Sequence, residues 1–349
     1  MSLDPKERNR GPAPSSPDGG AGMERRDPDA RTTPDTKCFV CGDTLVFMFM
    51  HHDSLHRTSD REYAIYRCDG CGLLKILPEP TAEEIASFYP DEYYSYRIES
   101  GMGRIARMRE RLKDEVLDLH YGMRGDSPCL RILARSVRNY MTRVSVSGIP
   151  LHPPRVNGRF LDIGCGDGYW VHKLRKYGWD CTGVEFVGEE KDGIRVGGFM
   201  DMEFEDGFEF IRLNHVLEHV KNTDAYLVKM RSLLCEEGEL YVAVPNSESI
   251  FFKIFGRYWY ALETPRHLHV FNEGNLRRLL HRNGLEIRSL SYESRYSLGN
   301  SLTNYLNVKT LLKIKDEHML IGFVLSPADK LLGWIGPGDL INVTTGRLK

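Results

Sequence analysis

The stretch that decides the fold is residues 160–185, FLDIGCGDGYWVHKLRKYGWDCTGVE. Residues 160–163 are a short apolar run, which predicts a buried strand, and glycines at alternate positions from 164 to 168 predict a turn that lets a ligand approach the backbone closely. Apolar side chains then recur at helical spacing up to Tyr177, and residues 179–184 predict a second strand. Glu185 ends that strand, where doubly wound folds place an acid against a ribose diol. The stretch therefore predicts the first βαβ unit of a nucleotide-binding α/β sheet.

The spacing of the glycines separates two kinds of nucleotide ligand. Dinucleotide-binding turns read G-x-G-x-x-G, whereas residues 162–168 read D-x-G-x-G-x-G. This pattern resembles the first motif of class I S-adenosylmethionine-dependent methyltransferases. The resemblance implies a Rossmann-like three-layer α/β sheet and S-adenosylmethionine as cofactor. The cofactor-binding residues so implied are Asp162, Gly164, Gly166, Gly168 and Glu185.

Four of the eight cysteines form a separate motif near the amino terminus. The spacing C-x2-C-x26-C-x2-C suits tetrahedral coordination of structural zinc by thiolates, and two strands predicted at 45–50 and 63–67 complete the plan of a zinc ribbon. Two disulfides or a redox pair are the alternatives, and disulfides are rare in a cytoplasmic chain. The proposed zinc ligands are Cys38, Cys41, Cys68 and Cys71.

Three histidines, His51, His52 and His56, follow the first predicted strand of this ribbon. A second metal site is one interpretation of them. Because sulfur fills all four positions around the zinc, we interpret them as solvated loop residues.

Residues 208–220, FEFIRLNHVLEHV, predict a fourth strand that runs into a polar segment. Ligands of open α/β sheets bind at the carboxyl ends of strands, so Asn214 is expected at the cofactor and the residues after it at the reacting centre. A histidine can remove a proton from an acceptor hydroxyl if an acid or a carbonyl holds its other nitrogen. The expected catalytic residues are His219 as the base, Glu218 as its acid partner, and His215 and His267 as rivals. A divalent metal held by these residues is a further alternative.

The resemblance extends over most of the chain from about residue 37. The motifs N-H-V-L-E-H-V at 214–220, V-P-N at 244–246 and P-R-H-L-H-V-F at 265–271 are similar to bacterial methyltransferases that carry an amino-terminal zinc module and modify sugars, lipids and quinones. Deoxysugar C-methyltransferases share the four cysteines and a Glu-His pair like Glu218-His219. They usually carry a large carboxyl-terminal domain, for which this chain has too few residues.

A second departure lies between Glu185 and Asn214. This interval is about a dozen residues too short for a whole helix and a third strand, so we expect the helix to be missing or stunted. Asp201 is the candidate for the acid near the adenine. Weakened or lost cofactor binding would follow if the shortening affects the site.

Composition sets the remaining bounds. The 349 residues carry a net charge of −2, which favours neither nucleic acid nor membrane as a partner. No apolar run approaches the ~20 residues of a membrane span, and the amino terminus lacks the apolar core of a secretory signal, so we expect a cytoplasmic protein. The sequence gives no indication of the oligomeric state.

We predict four segments along the chain. They are a disordered tail over 1–36, a zinc ribbon-like module over 37–80, a helical connector over 81–157 and the methyltransferase domain over 158–349. Residues 101–147 hold ten Lys and Arg against five Asp and Glu, which suits either a solvated helical face or a patch for phosphate groups.

The expected function is methyl transfer to a small hydroxylated acceptor, such as a sugar or sugar nucleotide. An RNA methyltransferase that uses the ribbon and the basic helices is one alternative, although residues 37–72 contain no dense Lys/Arg cluster. A binding protein with an inactive methyltransferase core is the other.

Overall fold

The computed structural model describes residues 37–53, 59, 61–88, 104–123, 128–144, 147–155, 157–205, 207–294, 296–310, 325, 328–329, 332–333 and 335–348. The tail predicted over residues 1–36 lies outside this range, as does His56. Among the described residues, every helix is too short or too polar to cross a bilayer.

The cysteine-rich region forms a small antiparallel sheet. Its strands are β1 (Leu45–His51), β2 (Tyr63–Cys68) and β3 (Leu74–Leu77). The first two confirm the strands predicted between the cysteine pairs. The interpretation of His51 as a solvated loop residue is wrong, because His51 is the last residue of β1 and its buried ring packs edge-on against Phe49 at 6.4 Å. His52 is exposed, as expected.

Three helices follow the ribbon: α1 (Ala82–Ser87), α2 (Arg104–His120) and α3 (Pro128–Val144). α1 begins with a capping box, in which Thr81 and Glu84 each bond the other's backbone N–H. α2 and α3 confirm the helical pattern predicted from the sequence between 101 and 147.

The central sheet contains seven strands in the order β10-β11-β8-β7-β4-β5-β6. Neighbours from β8 to β6 run parallel, whereas β11 is antiparallel to both β8 and β10. The bounds of these seven strands are β4 (Arg159–Ile163), β5 (Asp180–Glu185), β6 (Ile194–Val196), β7 (Phe208–Asn214), β8 (Leu234–Pro245), β10 (Leu285–Glu293) and β11 (Leu340–Arg347). A further strand, β9 (His269–Val270), belongs to the smaller sheet.

Helices cover both faces of this sheet, which confirms the predicted three layers. The remaining helices are α4 (Tyr169–Arg175), α5 (Thr223–Leu233), α6 (Ile250–Phe255), α7 (Glu273–Arg282) and α8 (Ser297–Thr310). Successive residues of a strand face opposite sides. Accordingly Phe160 lies in one buried cluster with Val116 of α2 and Leu174 of α4, whereas Leu161 lies in another with Met230 of α5 and Leu279 of α7. The predicted connector thus contributes α2 to one of the layers.

The connection between β5 and β6 contains no helix. All of residues 186–193 are described, and they run as turns and bends to a strand of only three residues. This confirms the expected loss of the helix. Phe186 and Val187 are 57% and 47% exposed on that connection.

The ribbon and the central sheet are joined by β9. It pairs antiparallel with β3, so that Leu74 lies opposite Val270 and Lys75 opposite His269. Next to it, the Leu268 N–H donates to the Glu218 carbonyl at 2.8 Å, and the Ile76 N–H donates to the Leu268 carbonyl at 3.1 Å. The segment that carries the downstream histidines is therefore held between the two sheets.

Candidate active site

The glycine turn after β4 leaves no room for side chains. Gly164, Gly166 and Gly168 have φ values of 72°, 58° and 82°, in the left-handed region that favours glycine. A Cβ at Gly164 would lie 2.4 Å from a methyl group of Val216, and one at Gly168 would lie 2.4 Å from a methyl group of Ile194. The sequence needs glycine here because the turn packs directly against neighbouring elements.

A cavity of about 620 Å³ opens beside this turn, at the carboxyl ends of the parallel strands. Its volume lies within the range of roughly 300–1,000 Å³ that is usual for small-molecule sites. Gly164 and Gly166 form part of its wall, together with Glu185 and Asn214. Four of the seven predicted cofactor residues are thus brought to one cavity.

Glu185 is fixed by backbone donors. One carboxylate oxygen accepts from the Gly166 N–H at 2.7 Å and the other from the Phe186 N–H at 2.8 Å. The acid therefore links the glycine turn to the end of β5, where a ribose diol would be recognised.

The other three predicted cofactor residues lie outside the cavity wall. Asp162 is fully buried and accepts from Arg212 Nη1 at 2.9 Å, and its burial raises its pKa despite that partner. Gly168 precedes α4 as its N-cap. Asp201 belongs to a short 3-10 turn and its carboxylate lies over Gly198, so its predicted contact with the adenine remains a prediction.

The polar segment after β7 forms a compact turn. His215 has a left-handed φ of 56°, and residues 217–219 form a 3-10 turn that buries Glu218 completely. Glu218 Oε1 lies 3.2 Å from His215 Nδ1. Burial opposes ionisation of Glu218, but His215, His219 and His267 together outweigh it and lower its pKa.

His219 and His267 meet at the wall of the cavity, with ring centroids 4.8 Å apart. His219 Nδ1 lies 2.9 Å from the Arg266 carbonyl, and His267 Nδ1 lies 2.9 Å from the Ala261 carbonyl. A carbonyl only accepts, so each Nδ1 is the donor, and in the neutral ring each Nε2 carries the lone pair. Burial lowers the pKa of His267 to about 4, which keeps that ring neutral.

Comparison with known proteins shows which family the chain resembles. Residues 133–290 match the family described as a methyltransferase domain. Over 178 residues the chain is 27% identical to the ubiquinone biosynthesis O-methyltransferase of Maricaulis maris (strain MCS10). This match covers 43% of this chain and 70% of that protein. These matches and the fold support a class I S-adenosylmethionine-dependent methyltransferase.

Two solved structures of methyltransferases are similar to this one at low identity. The first, a SAM-dependent enzyme from Archaeoglobus fulgidus, is 17% identical with a TM-score of 0.38 and covers 62% of this chain and 94% of its own. The second is the 1,6-didemethyltoxoflavin-N1-methyltransferase of Burkholderia thailandensis, with 15% identity and a TM-score of 0.41. The match covers 86% of this chain and the whole of that chain.

Two further residues of the methyltransferase were not predicted. Glu263, with a φ of 39°, lines the cavity, and its Oε2 lies 3.4 Å from His267 Nε2. Arg266 is fully buried and holds Asp53, beside the ribbon, through two contacts of 3.0 and 3.1 Å. Arg266 lies within the P-R-H-L-H-V-F motif, which gave no indication of its partner, and Glu263 lies two residues before that motif.

The four cysteines of the methyltransferase converge at one point. Their sulfur atoms all lie within 4.8 Å of one another, and all four thiols are free. The Cys71 N–H points at Cys68 Sγ at 3.4 Å. The Cys71 carbonyl accepts from Asn272 Nδ2 at 2.9 Å and from Asn275 Nδ2 at 3.2 Å, which fixes the second cysteine turn to α7. Such an arrangement of thiols suits tetrahedral zinc.

Proposed function

We propose that this methyltransferase moves the methyl group of S-adenosylmethionine to a hydroxyl oxygen of a small molecule, a sugar or sugar nucleotide. The observation that carries the proposal is a second cavity of about 290 Å³ that shares part of its wall with the first. The shared wall includes Asn214, His215, Glu263 and His267. A donor in the larger cavity and an acceptor in the smaller one would meet at this wall.

The lining of the second cavity favours a polyhydroxylated acceptor. Trp170 and Tyr260 offer aromatic faces on which the C–H face of a sugar ring could pack, and Glu293 and Asn342 offer oxygen acceptors for hydroxyl groups. The volume suits a single ring better than a macromolecule. The resemblance to sugar-modifying methyltransferases points to the same class.

His219 is the proposed base. Because its Nδ1 donates to the Arg266 carbonyl, its Nε2 lone pair is the one that can take the hydroxyl proton. The sulfonium supplies an already activated methyl group when the cofactor is bound. As the acceptor oxygen forms its bond to the methyl carbon and the carbon–sulfur bond breaks, the proton would pass to His219. The name of the Maricaulis relative, an O-methyltransferase, supports oxygen as the acceptor atom.

Structural zinc held by Cys38, Cys41, Cys68 and Cys71 is part of the proposal. The convergence of the four sulfur atoms supports it, and a metal there would rigidify the ribbon whose β3 holds the histidine segment. A reducing, cytoplasmic location fits the four free thiols.

The two rival functions predict different partners. An RNA substrate would use exposed cations of α2 and α3, such as Arg109, Arg111 and Arg135, whereas a small acceptor in the second cavity would not depend on them. An inactive core would have lost its cofactor cavity, whereas the cavity beside the glycine turn is open despite the absent helix.

Release of S-adenosylhomocysteine tests the proposal. The purified chain is incubated with S-adenosylmethionine and a panel of nucleotide sugars, free hexoses, a catechol and transcribed RNA. We expect release with a sugar, and His219→Ala should lower turnover about 10²- to 10⁴-fold with cofactor affinity unchanged. His281→Ala, an exposed histidine at the end of α7, is the matched control and should behave as wild type.

Other outcomes would overturn the proposal. Release with RNA alone would establish the RNA function. Absence of S-adenosylmethionine binding in calorimetry would establish the inactive core.

A further inference from the structure

Glu218, His219 and His267 bring three potential ligand atoms together at the cavity wall. One ligand atom of each lies within 4.8 Å of the others. Glu218 and His219 come from the 3-10 turn after β7, and His267 comes from the loop before β9. The cluster is remote in sequence from the cysteines and contains no sulfur.

The two imidazoles are oriented as metal ligands usually are. Metal-binding histidines commonly donate their other ring N–H to a carbonyl or carboxylate, which fixes the tautomer and the ring plane. Here the Arg266 and Ala261 carbonyls each accept from an Nδ1 at 2.9 Å. The Nε2 lone pairs of both rings are therefore directed by the backbone rather than by chance rotation of the side chains.

One oxygen of the Glu218 carboxylate is left unsatisfied beside these nitrogens in the described part of the chain. Glu218 is fully buried, and its Oε2 has no hydrogen-bond partner among the described residues. His267 Nε2, which carries a lone pair, lies 3.9 Å from Glu218 Oε1 and 3.4 Å from Glu263 Oε2. Lone pairs and carboxylates repel, and an unsatisfied buried carboxylate oxygen is costly, so a cation between them would remove both penalties.

We propose that Glu218, His219 and His267 form a second metal site, for a divalent ion of the Zn²⁺ or Co²⁺ type. Two imidazoles and one carboxylate are a ligand set that zinc accepts, with a fourth position left for a molecule from the cavity. The site differs from the four-cysteine site in having nitrogen and oxygen ligands only.

Occupancy of this site has a consequence that rests on the proposed function. The metal would use the same Nε2 lone pair of His219 that takes the acceptor proton. A bound ion and a proton-accepting His219 therefore exclude each other, and the ion should inhibit methyl transfer without affecting cofactor affinity.

Titration of the zinc-loaded full-length chain with Co²⁺ tests the site by a readout other than activity. We expect one additional ion per chain, with weak visible absorption bands and no thiolate-to-cobalt charge transfer in the near ultraviolet. His267→Ala should lose this ion while keeping zinc in the ribbon and wild-type affinity for S-adenosylmethionine, and His281→Ala should keep it. A wild-type chain that takes up no second ion, or only an ion with thiolate bands, would overturn the proposal without any variant.

Turnover measured along the same titration separates this inference from the proposed function. A fall in turnover that follows Co²⁺ occupancy supports both the metal site and the role of His219 as the base. A rise in turnover with occupancy leaves the metal site in place and removes His219 as the base. If the chain takes up no second ion and His219→Ala loses turnover, the metal site is refuted and His219 remains the proposed base.

Discussion

Replacement of Arg266 by methionine should destabilise the protein by about 3–5 kcal/mol, because it leaves a buried carboxylate without its partner. The Arg266 side chain is fully buried, as is that of Asp53. Nη1 and Nη2 of Arg266 donate to the two oxygens of Asp53 at 3.1 and 3.0 Å. Nη1 also donates to the Phe88 carbonyl at 3.0 Å, and Nε donates to Glu263 at 3.1 Å.

The magnitude follows from the balance of these contacts and desolvation. Four hydrogen bonds to a charged group, at about 1.5–3 kcal/mol each, would sum to about 6–12 kcal/mol, as much as the whole stability of about 5–15 kcal/mol. The intact pair has already lost its hydration, so the net effect of breaking it is nearer the 3–5 kcal/mol seen when one partner of a buried pair is removed. Neutralising the orphaned acid with Asp53→Asn should recover part of the loss, and the double variant should be less destabilised than the sum of the singles by roughly 0.5–3 kcal/mol.

Urea unfolding at neutral pH, followed by far-ultraviolet circular dichroism, measures the free energy of unfolding of four proteins: the wild type, Arg266→Met, Asp53→Asn and the double variant. Arg277→Met is the control, because Arg277 pairs with Glu273 on the exposed surface of α7 at 2.7 Å and such pairs contribute about 0–1 kcal/mol. A loss below 1 kcal/mol for Arg266→Met, or strictly additive single variants, would refute the reasoning.

Three other predictions concern the cofactor, the zinc and the pH dependence of stability. Gly166→Val and Glu185→Ala should each weaken S-adenosylmethionine binding at least tenfold, about 1.4 kcal/mol, in calorimetry, and unchanged affinity in both would contradict the cofactor site. Elemental analysis of the purified chain should find tightly held zinc, which Cys68→Ser should lose together with stability; an ordered ribbon without metal would be the contrary result. Burial, opposed by bonds from Ser249 and Trp259, raises the pKa of Asp339 to about 6 from 3.8. The folded state therefore binds this proton more tightly than the unfolded state, so the stabilisation is complete below about pH 4 and is lost as the pH rises through 6, a change of about 3 kcal/mol. Asp339→Asn should flatten that part of the stability–pH curve in chemical unfolding, and an unaltered slope would show that another group is responsible.

Local patterns in the sequence predicted the features that depend on neighbouring residues. The glycine turn, Glu185 at the end of β5 and the two cysteine pairs each lie within a short segment, and their geometry is set by backbone conformation and spacing. The missing helix after β5 could likewise be predicted, because chain length alone limits what fits in that interval.

Two of the features that escaped prediction depend on contacts between distant segments. Arg266 acquires its role from Asp53, and the burial of His51 depends on the packing around β1. Glu263 lies only four residues from His267, but its left-handed φ of 39° was not indicated by the sequence pattern. Periodicity within one segment carries no information about a partner more than 200 residues away. Asp201 differs, because its orientation is set locally by the 3-10 turn in which it lies.

The pairing of β3 with β9 also determines when the amino-terminal sheet can be completed during synthesis. Leu74 and its partner Val270 are separated by about 200 residues, which a ribosome translating at about 5–20 residues per second adds in roughly 10 to 40 s. During that interval the nascent ribbon exposes the backbone edge of β3, which is open to pairing with other chains. The Asn272 amide that fixes the second cysteine turn emerges even later than β9. A chain that stalls or is cut before residue 269 therefore keeps all four zinc ligands but lacks the strand that closes their sheet.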